Sequence, residues 1–280
     1  MANAPTKPTT TPKKESSSAS GMFATLTVPI CLLVSWCIYH FIMGDPSHFK
    51  GGDNSAAGTP ADGDVFGIIY KGGTLVPLVM SYILMVVVFS IERFIVIGKA
   101  SGTSSVDSFV KKIQGFLNAG SIDAASAECD KQKGSVANVI KAGLKKYKEM
   151  ETDVTLDVDQ KTLAIQKDIE EATALEMPML EQNLTIIATL VSIGTLTGLL
   201  GTVIGMIKAF SELAGTSTNT SLLSAAISEA LVNTAMGIST SALSIVMYNV
   251  FTSKIDGLTY AIDETGFSIV QTFAASHKNK

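Results

Sequence analysis

Two long apolar runs in the second half of the chain constrain its fold more than any other feature. They cover residues 184–210 and 221–251 and are separated by a short polar stretch. Each run is longer than the roughly 20 residues that cross a hydrocarbon core about 30 Å thick. Because lipid offers no hydrogen-bond partner to backbone groups, runs of this kind cross membranes as helices. The sequence therefore predicts an all-α, polytopic helical membrane protein.

Small residues recur along both runs at helical spacing. In the first run they are glycines three or four residues apart, namely Gly194, Gly198, Gly201 and Gly205. In the second run they follow at intervals of four, three and four residues, namely Ala230, Thr234, Gly237 and Ser241. Small residues on one face let two helix backbones approach closely in a membrane. We therefore expect these two faces to pack against each other.

Hydroxyl groups add an unusual polar load to the same two helices. In the first helix they follow a stripe beside the glycines, namely Thr185, Ser192, Thr195 and Thr202. Polar groups inside a membrane span are costly and indicate functional sites. A structural alternative is that these hydroxyls only join neighbouring helices, at about 0.6 kcal/mol per contact. The pattern predicts either a protein-lined polar pathway or a hydrogen-bonded helix interface.

Glu229 stands apart from the hydroxyl groups of its own helix. It precedes Thr234 by five residues, which places it about 140° away around the helix, and it shares a face with Asn233 and Thr240. Two interpretations stay open: Glu229 is a possible proton relay, or it is a hydrogen-bonding strut between subunits. Lys208, near the end of the preceding helix, is a candidate partner.

The same residues carry a family resemblance. The run GLLGTVIGMIKAF, followed by ISEALVNTAMGI and then VMYN, resembles the MotA/TolQ/ExbB proton channel family and is most similar to the ExbB branch. The resemblance covers roughly residues 74–255 and includes Glu92-Arg93, which matches the pair that closes the corresponding helix. Adjacent opposite charges at this place are also typical of side chains that reach a membrane interface. The family often has proline where this chain has Thr195 and Leu243, so we expect straighter helices here.

The resemblance implies a function and a set of partners. It implies an inner-membrane motor subunit that couples proton-motive force through an ExbD-like single-span protein to a TonB-like protein, for outer-membrane active transport. The partner's intramembrane Asp would carry the ion, because no Asp lies inside any span of this chain. The implied assembly is a homo-oligomer, commonly a pentamer around two partner helices. The implied ion is H⁺, with Na⁺ as the alternative.

The resemblance also assigns roles to residues. It places Thr202 and Thr234 in the ion pathway, and Thr195, Ser192 and Ser241 would extend that pathway along the helices. Other members of the class remain as alternatives: a TolQ-like subunit, a gliding motor, or a flagellar MotA-like stator. A non-conducting membrane scaffold is the alternative from a different class.

Two further apolar runs bring the predicted spans to four. They cover residues 22–43 and 74–97. A signal peptide is the competing interpretation of the first run, but the run is too long and lacks a small-residue cleavage site. The family core has three membrane helices, so residues 22–43 are predicted to be an additional N-terminal helix.

Lysine distribution predicts the orientation of the chain. Three lysines precede the first span and eleven lie between residues 98 and 182, whereas residues 44–73 hold two and residues 211–221 none. Basic loops stay on the cytoplasmic side, so both termini are predicted to be cytoplasmic. In order, we predict a disordered tail (1–21), a span (22–43), a periplasmic loop (44–73), a span (74–97), a cytoplasmic helical domain (98–182), a span (183–210), a periplasmic turn (211–221), a span (222–252) and a cytoplasmic tail (253–280).

Composition excludes several other classes of protein. A net charge of −4 gives no electrostatic basis for binding nucleic acid. Three cysteines do not make a disulfide framework, and the three histidines lack metal-ligand spacing. No nucleophile, phosphate-loop or dinucleotide motif is present. We therefore expect no enzymatic activity, no cofactor and no metal, and we expect the lipid bilayer as the solvent of the apolar runs.

Overall fold

The chain folds into helices only, wherever its structure is described. The computed structural model describes residues 16–55, 58–214 and 220–277, and no β-strand occurs within these ranges. The α-helices are α1 (Ser16–Cys37), α2 (Val65–Tyr70), α3 (Val76–Ser101), α4 (Val106–Asn118), α5 (Ile122–Gln132), α6 (Gly134–Thr152), α7 (Val158–Glu181), α8 (Leu184–Ala214) and α9 (Thr220–His277). Within the described residues, four helical segments are long and apolar enough to cross a membrane: Met22–Met43, Gly73–Asn118, Val158–Ala214 and Thr220–His277. The predicted all-α, polytopic class with four spans is confirmed.

The first apolar run forms α1 and packs along α3. Helix α1 continues through Pro29 and ends in a π-helical turn at Ile38–Met43. In this turn Tyr39 is buried and stacks on Tyr70, with 4.7 Å between the ring centroids. The disordered tail that the sequence predicts over 1–21 falls mostly outside the described residues, although α1 already begins at Ser16.

The loop between α1 and α3 is held by short capping interactions. Asp64 accepts hydrogen bonds from the backbone of Phe66 and Gly67 and so caps α2. The same side chain bonds His48 Nδ1 at 2.7 Å. That hydrogen bond, together with the capping bonds, lowers the pKa of Asp64 below its ordinary value. These contacts hold the loop at one end of the membrane helices. We call this end of the helices the loop end. The opposite end, from which α4 to α7 extend, is called the domain end.

The predicted helical domain is built from α4 to α7 and from the second half of α9. Its core is apolar and includes Phe109, Ile113, Val136, Ile140, Leu144, Ile165, Ile262, Ile269 and Phe273. The last three belong to the segment that the sequence analysis assigned to a tail over 253–280. In the structure α9 continues without a break to His277. Apolar residues recur at helical spacing in this segment, for example Ile255, Leu258 and Ile262. They form an apolar face that packs against the helical domain, so the segment is not an extended tail.

Helices α7 and α8 are separate elements joined by a two-residue break. Helix α7 passes through Pro178 and ends at Glu181, and Asn183 adopts a left-handed conformation with φ of 64°. Asparagine tolerates this conformation better than most residues because its short polar side chain can bond locally. The break between the two helices thus lies at Gln182 and Asn183, a few residues beyond Pro178.

Arg93 fastens this break to α3. Its side chain is 1% exposed and donates from Nη1 to the carbonyls of Met179 (3.2 Å) and Leu180 (3.0 Å). Its Nε donates to Glu92 at 2.6 Å. The interpretation of Arg93 as a side chain reaching an interface is therefore wrong: the guanidinium binds the C-terminal carbonyls of α7. A positive charge there also complements the negative end of the helix dipole.

We predict that Arg93→Gln destabilises the fold strongly. The substitution leaves two helix carbonyls and the Glu92 carboxylate without their cation, and removing one partner of a buried pair costs roughly 3–5 kcal/mol. Thermal unfolding of the detergent-solubilised protein measures the effect. Lys99→Gln, which removes an exposed cation from the same helix, is the control. Equal unfolding temperatures for the two variants would contradict the assigned role of Arg93.

Candidate functional site between helices α8 and α9

The backbones of α8 and α9 touch along a line of small residues. All of these residues are buried, and we call them the glycine seam: Gly194, Gly198, Gly201, Gly205, Ala230 and Gly237. A Cβ atom placed on Gly198 would lie 3.0 Å from the Cα of Gly237. A Cβ on Gly237 would lie 2.6 Å from the carbonyl oxygen of Gly194. Any side chain at these positions would push the two helices apart.

The seam fixes an antiparallel register between the two helices. Gly205 lies against Ala226 and Ala230, Gly201 against Asn233, Gly198 against Gly237, and Gly194 against Thr240 and Ser241. This register determines which neighbouring side chains meet on either side of the seam. Residues that follow the glycines by one position face one flank, and residues that precede them face the other.

Hydroxyl groups meet on one flank of the seam. Thr195 Oγ1 and Ser241 Oγ are 2.6 Å apart, and Ser241 Oγ in turn donates to the carbonyl of Val191 at 2.6 Å. Thr234 Oγ1 donates across the seam to the carbonyl of Gly198 at 3.3 Å and to Ala230 in its own helix at 3.1 Å. The hydroxyl-bearing residues Thr195, Thr202, Thr234 and Ser241 are called the hydroxyl flank. Thr195 is exposed, so this flank faces away from the remaining helices of the chain.

Two predicted pathway residues take a different position. Thr202 lies seven residues after Thr195 on the same side of α8, is half-buried, and donates to the carbonyl of Leu199 within its own helix at 2.6 Å. Ser192 is exposed on the surface of α8. The structure thus brings Thr195, Ser241 and Thr234 together across the seam, whereas Thr202 and Ser192 extend the flank along α8 alone.

Charged groups meet on the opposite flank. Lys208 Nζ lies 2.6 Å from Glu229 Oε1 and 2.8 Å from Oε2. Asn233 is fully buried beside this pair, and its Nδ2 donates to the carbonyl of Gly72 at 2.7 Å. Glu229 therefore faces the turn that precedes α3 and not the space beside Thr234. The spacing of Glu229 and Thr234 along α9 already predicted that they face different sides. The contact between Asn233 and Gly72 could not be predicted in this way, because spacing within a helix does not locate a distant loop.

A cavity at the domain end was not foreseen from the sequence. It has a volume of about 420 Å³ and lies between the start of α8 and the middle of α9. Its lining includes Glu181, Thr185, Tyr248, Thr252 and Asp256. Thr185 carried a signal as the first member of the hydroxyl stripe, and Tyr248 as part of the VMYN run. The cavity itself forms only when α7, α8 and α9 are folded together.

The arrangement defines a class of protein. A multi-pass membrane protein whose central helices pack through glycine and carry hydroxyls on an outward flank has the features of a channel subunit and not of a simple anchor. The model of the MotA/TolQ/ExbB proton channel family matches residues 131–264, which contain the signature runs. This match supports the family suspected from the sequence.

Two relatives carry more specific names. A putative biopolymer transport protein, ExbB-like 3, of Synechocystis sp. is 38% identical over 88 residues, which is 30% of this chain and 42% of that protein. The Tol-Pal system protein TolQ of Pseudomonas aeruginosa is 24% identical over 200 residues, which is 69% of this chain and 85% of that protein. The match to the ExbB-like relative thus spans less than half of its length.

We predict that Gly198→Leu separates α8 from α9. The new side chain meets backbone atoms of Gly237 and Asn233, which cannot rotate away, and overpacking of this kind costs at least about 1–3 kcal/mol. Thermal unfolding in detergent measures the loss. Gly257→Ala is the matched control, because nothing lies within 4 Å of a Cβ at that position of α9. A stable Gly198→Leu protein would show that the close approach is dispensable.

Proposed function

We propose that this chain is the oligomeric, ExbB-like subunit of an ion-driven motor, and that its hydroxyl flank lines the ion pathway. The match to the model of a proton channel family supports the choice of ion, and the name of the Synechocystis relative supports the transport role. The proposal includes an inner-membrane location with both termini in the cytoplasm. It takes H⁺ as the ion, with Na⁺ as the alternative.

The observation that carries the proposal is the hydrogen-bonded chain from Thr195 through Ser241 to the carbonyl of Val191. A hydroxyl that only stabilises a membrane helix usually bonds a carbonyl one turn back in that helix. Here two hydroxyls bond each other across two helices, on a flank that faces outward, in addition to the carbonyls of Val191 and Gly237 one turn back. Exposed polar groups in hydrocarbon are unfavourable. The flank therefore calls for a polar partner within the assembled protein.

The chemistry of that partner follows from what this chain lacks. No Asp occurs in residues 22–43, 74–97, 183–210 or 222–252, so these spans do not offer an aspartate that could take up and release the ion. We propose that an ExbD-like single-span protein supplies this carboxylate and contacts the hydroxyl flank. A ring of identical subunits, commonly five in the resembled family, would enclose the partner helices. A TonB-like protein would receive the work.

A TolQ-like role is the second candidate. The match to the Pseudomonas TolQ protein is weaker in identity than the match to the ExbB-like relative, but it covers 85% of TolQ and 69% of this chain. The two roles use the same kind of subunit and differ in the protein that receives the work. Co-purification from the native membrane, followed by identification of the bound envelope protein, distinguishes them.

We predict that Thr234→Val and Thr195→Val abolish ion flux while the complex still assembles. Valine has nearly the volume of threonine but cannot donate or accept a hydrogen bond, so the substitution removes the hydroxyl and little packing. Proton flux into liposomes containing the complex with its single-span partner is the measurement. Thr173→Val is the control, because Thr173 lies in α7, outside the hydroxyl flank, and donates to the Ile169 carbonyl of its own helix at 2.8 Å. Flux at the original level in both test variants would reject the pathway.

The identity of the ion is tested separately. A chain of hydroxyl groups can pass a proton from oxygen to oxygen, whereas a hard cation such as Na⁺ requires several oxygen ligands at once. We predict that flux in the same liposomes depends on the pH gradient and is unchanged when external Na⁺ is replaced by a large organic cation at fixed membrane potential. Flux that follows the Na⁺ concentration would show that Na⁺, and not H⁺, is the transported ion.

A further inference from the structure

We infer that Lys208 and Glu229 are positioning residues, whose ion pair holds the loop ends of α8 and α9 and the turn before α3 together, and that Glu229 does not carry the ion. The inference deepens the proposed function, on which its flux measurement rests. It assigns a role to a pair of charges that lies outside the hydroxyl flank.

The geometry of the pair is that of a structural contact. One ammonium group lies within 2.8 Å of both carboxylate oxygens, and the Glu229 side chain is only 13% exposed. The two residues belong to different helices and meet through the antiparallel register of the glycine seam. A shift of one helix along the other by a single turn would displace the charges by about 5.4 Å and break the pair.

The turn before α3 closes over Glu229. Gly73 has φ of 73°, and a Cβ atom there would overlap the Glu229 carboxylate. Next to it, the carbonyl of Gly72 accepts the hydrogen bond from buried Asn233. Asn233 Nδ2 also donates to the backbone carbonyl of Glu229 at 3.0 Å. Three elements therefore meet at one carboxylate, and each is held by a specific contact.

The seam separates this pair from the hydroxyl flank. Between Glu229 and Thr234, Gly205 packs against the backbone of Ala226 and Ala230, and the buried Asn233 side chain fills the space against Gly201. On its open side the pair borders a cavity of about 420 Å³ at the loop end. The other ionisable groups around that cavity are Tyr39, Tyr70, Lys71 and Glu212. Glu229 thus faces the loop end, and the packed side chain of Asn233 lies between it and the hydroxyl flank.

A charge exchange tests the inference in the full-length complex. Lys208→Glu and Glu229→Lys are made singly and together, and the unfolding temperature and the proton flux are measured for each. We expect each single variant to lower the unfolding temperature by about 2 °C or more and to lose flux, because two like charges then face each other at a pair whose Lys208 side chain is 49% exposed and therefore partly screened. We expect the double variant to recover both properties, with the pH profile of the original protein. Glu212→Gln, a charge removal in the same cavity, is expected to change neither.

A second set of variants replaces both charges by neutral side chains. It tests the inference even if the exchanged charged side chains do not fit beneath Gly73. Lys208→Met and Glu229→Gln are expected to reduce flux to the same extent, and the double variant is expected to be no worse than either, because both substitutions remove one shared contact. Flux lost with Glu229→Gln but kept with Lys208→Met would make Glu229 part of the ion pathway and overturn the inference.

The remaining outcomes separate the inference from the proposed function. A double exchange that restores the unfolding temperature but not the flux also overturns it, since the contact would then be intact without the activity. Single variants with the original unfolding temperature would show that the pair holds nothing. If the unsubstituted complex conducts no ions, the proposed function fails, whereas the recovery of unfolding temperature still decides whether the pair positions the helices.

Discussion

The contact of two helix backbones along the glycine seam is the constraint on which the rest of the membrane region depends. Gly198 and Gly237 bring the backbones of α8 and α9 into direct contact. Polar side chains pack against the glycines of the seam at Asn233, Thr240 and Ser241. The other polar groups of this helix pair lie on the two flanks. Hydroxyls collect on one side and the Lys208–Glu229 pair on the other. A wider helix pair would mix these groups in one interface, and the two sets of polar contacts would not be separated.

Part of this arrangement can be predicted from the sequence because it is local. The length of the apolar runs sets the number of spans, and the spacing of small residues along α8 defines the face with which it can approach another helix. The same helical geometry separates Glu229 from Thr234 around α9. The family resemblance adds a function to these features, because the signature runs are long and ordered.

Other parts of the structure depend on contacts between distant segments, and patterns within one segment of the sequence do not predict such contacts. The partner of Thr195 is set by the register of two helices, so spacing within one helix does not identify Ser241. Arg93 binds carbonyls 86 residues away, at a helix end defined by the left-handed Asn183. The segment after residue 252 was assigned to a tail because it follows the last span, although its apolar residues recur at helical spacing. The missing information is the register of two helices in the first case, the end of another helix in the second, and the continuation of α9 beyond the membrane in the third.

The unbroken course of α9 has a mechanical consequence. At 1.5 Å per residue, its 58 residues form a rod about 87 Å long, and the final 25 residues contribute roughly 37 Å of it. A tilt of about 5° at the membrane boundary would displace the far tip by about 3 Å, because a continuous hydrogen-bonded helix does not absorb bending at a joint. The helix that lines the hydroxyl flank is thus also a lever arm into the helical domain, and small rearrangements at one end are geometrically amplified at the other.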